Sequence, residues 1–250
     1  ESARKRHPVL GDKGRVMLPG VDNPFHGQVP DYSPTDKLKL GHFGSLSRTR
    51  TLLPFINAIS KLKEHNPEVL RDIEIHVFGG VLDEPSMLLA TSFQVLKYIC
   101  QHGRLETDPN TGHSGRTQVL NYMRQCDALI LVHGDDAMCS EYIPSKLYEY
   151  LWMKRPIIAT VHDNQQMANI LHQHGHYAAV SSLNSSDSYE ICSSQIAEKI
   201  IAIHAKWKLN ELHDIQTSTI WTTSNSVEQM LEWVRYQNTE KIQIDKEKRK

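Results

Sequence analysis

The sequence predicts an α/β protein built on a doubly wound parallel sheet, and three observations lead to this prediction. Short apolar runs of strand length recur along the 250-residue chain. Stretches in which apolar residues have helical spacing separate these runs. Several runs end in glycine, as expected where a strand ends and a loop begins. Strands that alternate with helices favour a parallel sheet with right-handed crossovers.

Four runs are predicted to be strands. The first two, LKLGHFG (residues 38–44) and IEIHVFGG (residues 73–80), end in glycine. The other two, ALILV (residues 128–132) and PIIATV (residues 156–161), are almost entirely apolar. Such runs are typical of parallel strands that are buried on both faces.

The first predicted helix follows the strand at residues 38–44. Thr51 is the predicted N-cap, and Pro54 falls in the first turn, where proline is tolerated. The apolar positions with helical spacing are Leu52, Phe55, Ile56, Ile59 and Leu62. Further helices are predicted at residues 117–126, 144–152, 164–174 and 227–236.

The two ends of the chain differ in composition from the predicted sheet. Residues 1–37 are rich in proline and glycine and are predicted to be a linker that leads into the domain. Residues 38–205 form the predicted sheet domain, and residues 206–250 form a C-terminal helical extension with the charged tail KEKRK. A short tail of mixed charge is typical of a solvated segment, and contact with a membrane surface is the alternative.

Composition excludes several classes of protein. Lys and Arg number 28 against 29 Asp and Glu, so no overall positive field would attract nucleic acid. No apolar run reaches the roughly 18 residues of a membrane span, and the first residues do not resemble a signal peptide. Four cysteines without a CxxC pair are typical of reduced thiols: Cys100, Cys126, Cys139 and Cys192. We therefore expect a cytoplasmic protein, with peripheral contact at the inner membrane face left open by the tail.

The stretch IPSKLYEYL closely follows a predicted buried strand and contains a first candidate site. Pro144 suits the first position of a helix, so the free amides of the first turn would belong to residues near Ser145 and Lys146. These amides and the ammonium suit a phosphate, whereas Glu149 can accept hydrogen bonds from ribose hydroxyls. Together they describe a nucleotide site. The alternative is that Lys146 and Glu149 form an exposed i, i+3 pair that contributes little to stability.

A second candidate site follows the first predicted strand. The segment GSLSRTR (residues 44–50) contains small residues and two arginines, and a guanidinium group can bind a diphosphate bidentately. Gly44 allows a ligand to approach the backbone closely, although a glycine is equally typical of an ordinary strand end. Neither a Walker phosphate loop nor the GxGxxG fingerprint is present, so a phosphate would be held in a looser way.

These segments resemble the C-terminal domain of retaining GT-B glycosyltransferases of the family 4 (group 1) type. EYIPSKLYEYLWMKRPIIA, in which seven residues separate Glu141 from Glu149, resembles the acidic motif of that domain. GHFGSLSRTRTLLPFINAI resembles its first strand, diphosphate loop and helix, and HVFGG resembles its second strand. MRQCDALILVHG resembles the helix and strand before the acidic motif, and RVMLPGVDNPF resembles the segment that leads into the domain. The resemblance covers roughly residues 15–180, in the family's order.

The resemblance implies a Rossmann-like domain that forms one half of a two-domain GT-B architecture and holds a nucleotide sugar. It implies that Arg50 and Lys146 neutralise the donor diphosphate, with Arg48 as a further candidate. Glu149 would hold the ribose hydroxyls, and Glu141 would face the donor sugar.

The same resemblance predicts contacts to the rest of the donor. Gly44 and Ser45 would line the diphosphate, and Arg104 and Leu105, after a third strand, would border the base. The chain departs from the family pattern at residues 143–146, IPSK, where many members have a glycine-rich loop. The family usually has an arginine and a lysine in and after the first loop, whereas this chain has two arginines there.

The implied function is transfer of a sugar, with retention, from a nucleotide-diphosphate sugar to a glycan or glycolipid acceptor in surface polysaccharide biosynthesis. No cofactor beyond this donor is expected, and no nucleic-acid partner. Most acceptor contacts would come from an N-terminal domain that this fragment does not include, so we expect the fragment alone to be inactive. Two alternatives are half of a GT-B nucleotide-sugar epimerase and a non-catalytic Rossmann-like nucleotide-binding module.

A cluster of histidines raises the question of a metal. His172, His174 and His176 lie in HQHGH, but no nearby cysteine or carboxylate completes a ligand set, and Gly175 is expected to end the helix there. The sequence therefore predicts no metal site.

Overall fold

The computed structural model describes residues 7–9, 20–25, 32–181, 188–212 and 222–247. The strands in these residues are β1 (Leu38–Phe43), β2 (Ile73–Phe78), β3 (Ile99–Gly103), β4 (Ala128–Val132), β5 (Ile157–His162) and β6 (Tyr177–Ser181). They form one parallel sheet in the order β3-β2-β1-β4-β5-β6. This is the order of a Rossmann-like doubly wound sheet, in which the direction of winding reverses between β1 and β4. The predicted fold class is confirmed.

Helices cover both faces of the sheet. They are α1 (Leu53–His65), α2 (Pro67–Arg71), α3 (Glu84–Ser92), α4 (Gly115–Gln125), α5 (Ser145–Leu151), α6 (Gln165–Gln173), α7 (Ser188–Lys208) and α8 (Thr223–Glu247). One apolar core lies between the sheet and α1, α3 and α7. A second core lies between the opposite face and α4, α5 and α6.

The two cores follow from the alternation of side chains along each strand. On β1, Leu38 and Leu40 belong to the first core, whereas Phe43 belongs to the second. Phe43 stacks on Phe78 of β2 with the ring centroids 4.7 Å apart. Because apolar side chains pack on both faces, these strands read as nearly continuous apolar runs in the sequence.

Two helices begin one residue later than the sequence predicted. Leu52, not Thr51, is the N-cap of α1, although the Thr51 hydroxyl still accepts a hydrogen bond from the amide of Leu53 at 3.2 Å. Pro144 is the N-cap of α5 and not its first residue, because its ψ of 136° is extended. The first helical residue of α5 is therefore Ser145.

The chain contains more regular structure than the sequence predicted. The helices α2, α3 and α7 and the strand β6 were not predicted, and α8 is longer than the predicted segment 227–236. Part of the predicted linker packs on the domain, because the indole N–H of Trp152 donates to the carbonyl of Val21 at 2.7 Å. Residues 15–19 of the linker and 248–250 of the charged tail lie outside the described residues. Among the helices described, none combines the length and the apolar character needed to cross a bilayer.

Candidate functional site

A cleft of about 500 Å³ lies at the carboxyl ends of β1 and β4. It is lined by residues 42–45 and 50 from the end of β1 and its loop, 131–134 from the end of β4, and 142–146 at the start of α5. This is the position at which the strand order reverses. Open α/β sheets bind their ligands at such a point, outside the carboxyl ends of the strands. The cleft is therefore the candidate functional site.

Arg50 reaches the cleft from the loop after β1 and passes close to the loop after β4. A Cβ atom added at Gly134 would lie 3.3 Å from Cγ of Arg50 and 2.7 Å from Sγ of Cys139. The missing side chain of Gly134 therefore leaves room for the aliphatic part of the arginine. Gly134 was not a predicted site residue, although a glycine shortly after an apolar strand is a recognisable signal.

Lys146 reaches the same cleft from α5. Its Cε and Nζ would lie 3.7 and 3.8 Å from a Cβ atom added at Gly44, so the ammonium lies beside the end of β1. Its Nζ is also 5.9 Å from the ring centroid of Tyr150. Burial lowers the pKa of Lys146, and the nearby Glu149 opposes this shift. Two cationic side chains, Arg50 and Lys146, thus line one cleft from separate strand ends, as the sequence predicted.

His42 lies at the base of the cleft and is buried. Its Nδ1 is 3.3 Å from the carbonyl oxygen of Ile130, and its Nε2 is 3.2 Å from that of Gly44. Burial lowers the pKa of His42 to about 4, and the charges of Lys146 and Arg50 act in the same direction. At neutral pH the ring is therefore uncharged and donates only one hydrogen bond.

Glu149 is buried on α5, with its side chain 11% exposed, and forms an ion pair with Arg116 of α4. The alternative of an exposed Lys146–Glu149 pair is wrong, because the partner of the carboxylate is an arginine from another helix. The Arg116 side chain is 55% exposed and covers the carboxylate from the solvent side.

The remaining predicted site residues lie outside the cleft lining. Arg48 lines a neighbouring groove together with residues 81–85. Arg104 is exposed and lies 3.3 Å from the carboxylate of Glu106. Leu105 packs against the core beneath α4, α5 and α6. Glu141 is exposed and directly follows a 3-10 turn at Ala137–Ser140. The structure thus brings Gly44, Ser45, Arg50, Ser145 and Lys146 together in the cleft lining. These four residues and Glu149 lie outside that lining.

Asn164 fixes the segment that carries Glu141, a role that was not predicted from the sequence. The Asn164 side-chain amide donates to the carbonyl oxygens of Cys139 at 2.9 Å and Tyr142 at 2.8 Å. Its Oδ1 accepts the amide of Met167 at 2.9 Å, so Asn164 is also the N-cap of α6. The signal in the sequence was an asparagine directly before a helical pattern, which indicates a cap but not its second role.

The sheet order and the cleft at its switch point define a Rossmann-like α/β domain, and the chain has the fold of one half of a GT-B glycosyltransferase. Similar solved structures include WaaG, a glycosyltransferase involved in lipopolysaccharide biosynthesis, with 18% identity and a TM-score of 0.52 over 87% of this chain and 56% of that one. Sucrose-phosphate synthase from Thermosynechococcus elongatus has 12% identity and a TM-score of 0.57 over 95% of this chain and 56% of that one.

A variant of TarM from S. aureus, in complex with Fondaparinux, alpha-GlcNAc-glycerol and UDP, has 11% identity and a TM-score of 0.52 over 91% of this chain and 42% of that one. The chain therefore spans about half the length of these structures. No protein-family model matches the sequence. A search of curated proteins gives no match.

Proposed function

We propose that this chain is the donor-binding half of a retaining glycosyltransferase, which transfers a sugar from a nucleotide-diphosphate sugar to a glycan or glycolipid acceptor. One observation carries the proposal: Arg50 and Lys146 line the switch-point cleft from two separate strand ends, beside the backbone of Gly44 and Ser45. Cations and a side-chain-free backbone position at such a crevice are suited to a diphosphate.

The two cations would act on the leaving group. When the bond between the sugar and the diphosphate breaks, negative charge develops on the diphosphate oxygens. A group that stabilises this charge more strongly in the transition state than in the ground state accelerates the reaction, and one such donor is worth about 3 kcal/mol. Because Arg50 is exposed and Lys146 is half-buried, the lysine would lose less hydration on binding and supply the larger share of the stabilisation.

Glu149 and Glu141 would contact the two ends of the donor. Glu149 would accept the ribose hydroxyls once Arg116 is displaced, since its carboxylate is already buried and oriented by α5. Glu141 would face the donor sugar from the segment that Asn164 holds. With retention, the acceptor is delivered on the face from which the leaving group departs, so no residue of this chain is assigned as a nucleophile.

The chemistry of similar proteins supports the choice of substrates. WaaG takes part in lipopolysaccharide biosynthesis, and the TarM variant was solved with UDP and a glycerol-linked GlcNAc. We accordingly propose a product of the surface polysaccharide or glycolipid class, made in the cytoplasm with peripheral contact at the inner membrane face. The apolar face of α8, formed by Val227, Met230, Leu231 and Val234, would pack on the N-terminal half of the enzyme.

Calorimetric titration of the chain with UDP, GDP and ADP tests this proposal. We expect one of the three to bind, and Lys146→Met and Arg50→Gln each to weaken its binding about tenfold or more, since both remove a charge-assisted contact. Arg48→Gln is the matched control, because it removes the same charge two residues away and in a different groove. Affinity for the corresponding nucleoside should not change in any variant.

Other outcomes would assign another function. If none of the nucleotides binds, the chain is not a donor domain. If Arg48→Gln weakens binding and Arg50→Gln leaves it intact, the diphosphate binds in the neighbouring groove. In the two-domain protein, conversion of the sugar without any acceptor would indicate an epimerase.

A further inference from the structure

A second set of chemically active side chains lies away from the cleft, where β2 and β3 form an edge of the sheet. Glu74 and His76 are two residues apart on β2 and therefore point to the same face. His76 is the register partner of Cys100 on β3. One donor atom from each of these three residues lies within 4.8 Å of the other two. The register of the two strands thus brings a carboxylate, an imidazole and a thiol together.

The distances are close to those that a metal ion requires. Ligand atoms around a tetrahedral Zn²⁺ lie about 3.3–3.8 Å apart, given bond lengths of about 2.0–2.3 Å. Nε2 of His76 is 3.3 Å from Oε2 of Glu74. The remaining separations reach this range with small rotations of side chains that are only partly buried.

His102 occupies the position of a partner that orients a metal ligand. Its Nε2 is 2.9 Å from Nδ1 of His76, and the two rings stack with centroids 5.2 Å apart. With an ion bound at Nε2 of His76, beside Glu74, the Nδ1–H of His76 would donate to Nε2 of His102. A histidine that binds a metal almost always has such a hydrogen bond at its second nitrogen.

We propose that Glu74, His76 and Cys100 bind a divalent transition-metal ion of the Zn²⁺ type. Thiolate and imidazole ligands favour such an ion over Mg²⁺ or Ca²⁺, which prefer oxygen ligands. The side chains of His76 and Glu74 are 16% and 35% exposed, so an ion can enter and water can complete its coordination. The site shares no residue with the cleft and does not depend on the proposed transferase function.

Lys39 provides a sharp test of the proposal. It is the register partner of Glu74 on β1, and its charge acts on both His76 and Cys100. An ammonium at this position repels a divalent cation. The alternative is that Glu74, His76 and His102 form only a hydrogen-bond network and bind no ion. In that case neither loss of the Cys100 thiol nor removal of the Lys39 charge would affect the affinity of the chain for metal.

The experiment is a titration of the full 250-residue chain with Co²⁺, followed by competition with Zn²⁺. We expect thiolate-to-cobalt charge-transfer absorption, which Cys100→Ser abolishes and Zn²⁺ displaces. His76→Gln should weaken Zn²⁺ binding about tenfold or more, and Lys39→Met should strengthen it. His172→Gln is the control for the histidines of HQHGH and should change neither the charge-transfer absorption nor the affinity for Zn²⁺.

Circular dichroism and thermal unfolding without metal will show whether each variant is folded. If Cys100→Ser does not fold, Cys100→Ala takes its place. Absence of the charge-transfer band in the wild-type chain would overturn the proposal. So would a band that survives loss of the Cys100 thiol, or a Zn²⁺ affinity that His76→Gln leaves unchanged.

Discussion

The backbone amide of Asp135 donates a hydrogen bond to the carbonyl oxygen of Thr49 at 2.9 Å, and this bond joins the loop after β4 to the loop after β1. Arg50 is the residue after Thr49, and its side chain passes Gly134 and lines the cleft. The position of the arginine therefore depends on how closely the two loops approach each other.

Gly134→Ala should separate these loops. The added Cβ would lie 2.7 Å from Sγ of Cys139, so either the sulfur or the backbone must shift. We expect the free energy of unfolding to fall by about 1–3 kcal/mol, the usual cost of overpacking, and nucleotide affinity to fall with it. Urea denaturation and calorimetric titration measure the two effects.

Two further variants control for this substitution. Gly80→Ala adds a Cβ with no atom within 4 Å and should leave stability and affinity close to the wild-type values. Cys139→Ala in the Gly134→Ala background removes the clashing sulfur and should restore part of the affinity. A Gly134→Ala protein that binds nucleotide normally would show that the loops do not position Arg50.

Gly44 and Gly79 should respond differently to substitution by alanine. A Cβ at Gly44 makes only ordinary contacts at 3.7–3.8 Å, so stability should stay within about 0.5 kcal/mol of the wild type while nucleotide affinity falls. Gly79 has a φ of 103°, and its Cβ would lie 2.9 Å from the backbone of Gly44, so Gly79→Ala should be clearly destabilising. Thermal unfolding distinguishes the two, and normal nucleotide binding by Gly44→Ala would contradict close approach of a ligand at that glycine.

Arg116→Gln should strengthen nucleotide binding. The ion pair with Glu149 must break before a ribose can use the carboxylate, and a partly exposed pair is worth up to about 1 kcal/mol. Removing the arginine should therefore raise affinity by up to about fivefold. The gain should be smaller when a 2′-deoxynucleotide is the ligand, because its sugar offers one hydroxyl fewer to Glu149. Weaker binding by Arg116→Gln would mean that the arginine itself contacts the nucleotide.

The parallel sheet could be predicted from the sequence because the strands that build it are buried on both faces. Residues 128–132 are apolar in an unbroken run, and the predicted limits agree with β4. The helix α3 has no such pattern, since its buried residues are only Ser86 and Ala90. It depends on Asp83, whose side chain accepts the amide of Ser86 at 3.1 Å. Local capping of this kind gives only a weak signal in the sequence and becomes evident in the structure.

The site was predictable where the backbone alone fixes a residue at a strand end. Arg50 lies in the loop after β1 and Lys146 in the first turn of α5, the helix that follows β4, and parallel strands bring their carboxyl ends to one edge. The partner of Glu149 was not predictable, because Arg116 comes from a helix 33 residues earlier whose distance depends on core packing. For the same reason, the side chains of Glu74, His76 and Cys100 became a candidate metal site only after the register of β2 and β3 was known.

Buried histidines should make the fold sensitive to mild acid. Burial lowers the pKa of both His42 and His133 from 6.5 to about 4. The unfolded chain therefore takes up protons first as the pH falls, and stability is lost between about pH 6.5 and about pH 4. Each histidine contributes up to about 1.4 kcal/mol per pH unit in this range.

Urea denaturation at several pH values from about pH 7 to about pH 4 measures this dependence. His42→Gln should lower the slope of stability against pH in this range, whatever its effect on stability at neutral pH. The exposed His113→Gln should leave the slope unchanged. An unaltered slope in His42→Gln would show that this histidine is not the group that titrates.

Asn164→Ser should separate the two roles of Asn164. Serine is also a good N-cap and can still accept the amide of Met167, so α6 should remain intact. The carbonyl oxygens of Cys139 and Tyr142 lose their donor, which costs about 1–3 kcal/mol and releases the segment that carries Glu141. If Glu141 faces the donor sugar, affinity for a nucleotide sugar should fall more than affinity for the free nucleoside diphosphate. Equal losses for both ligands, measured by calorimetry, would mean that this segment contacts the diphosphate and not the sugar.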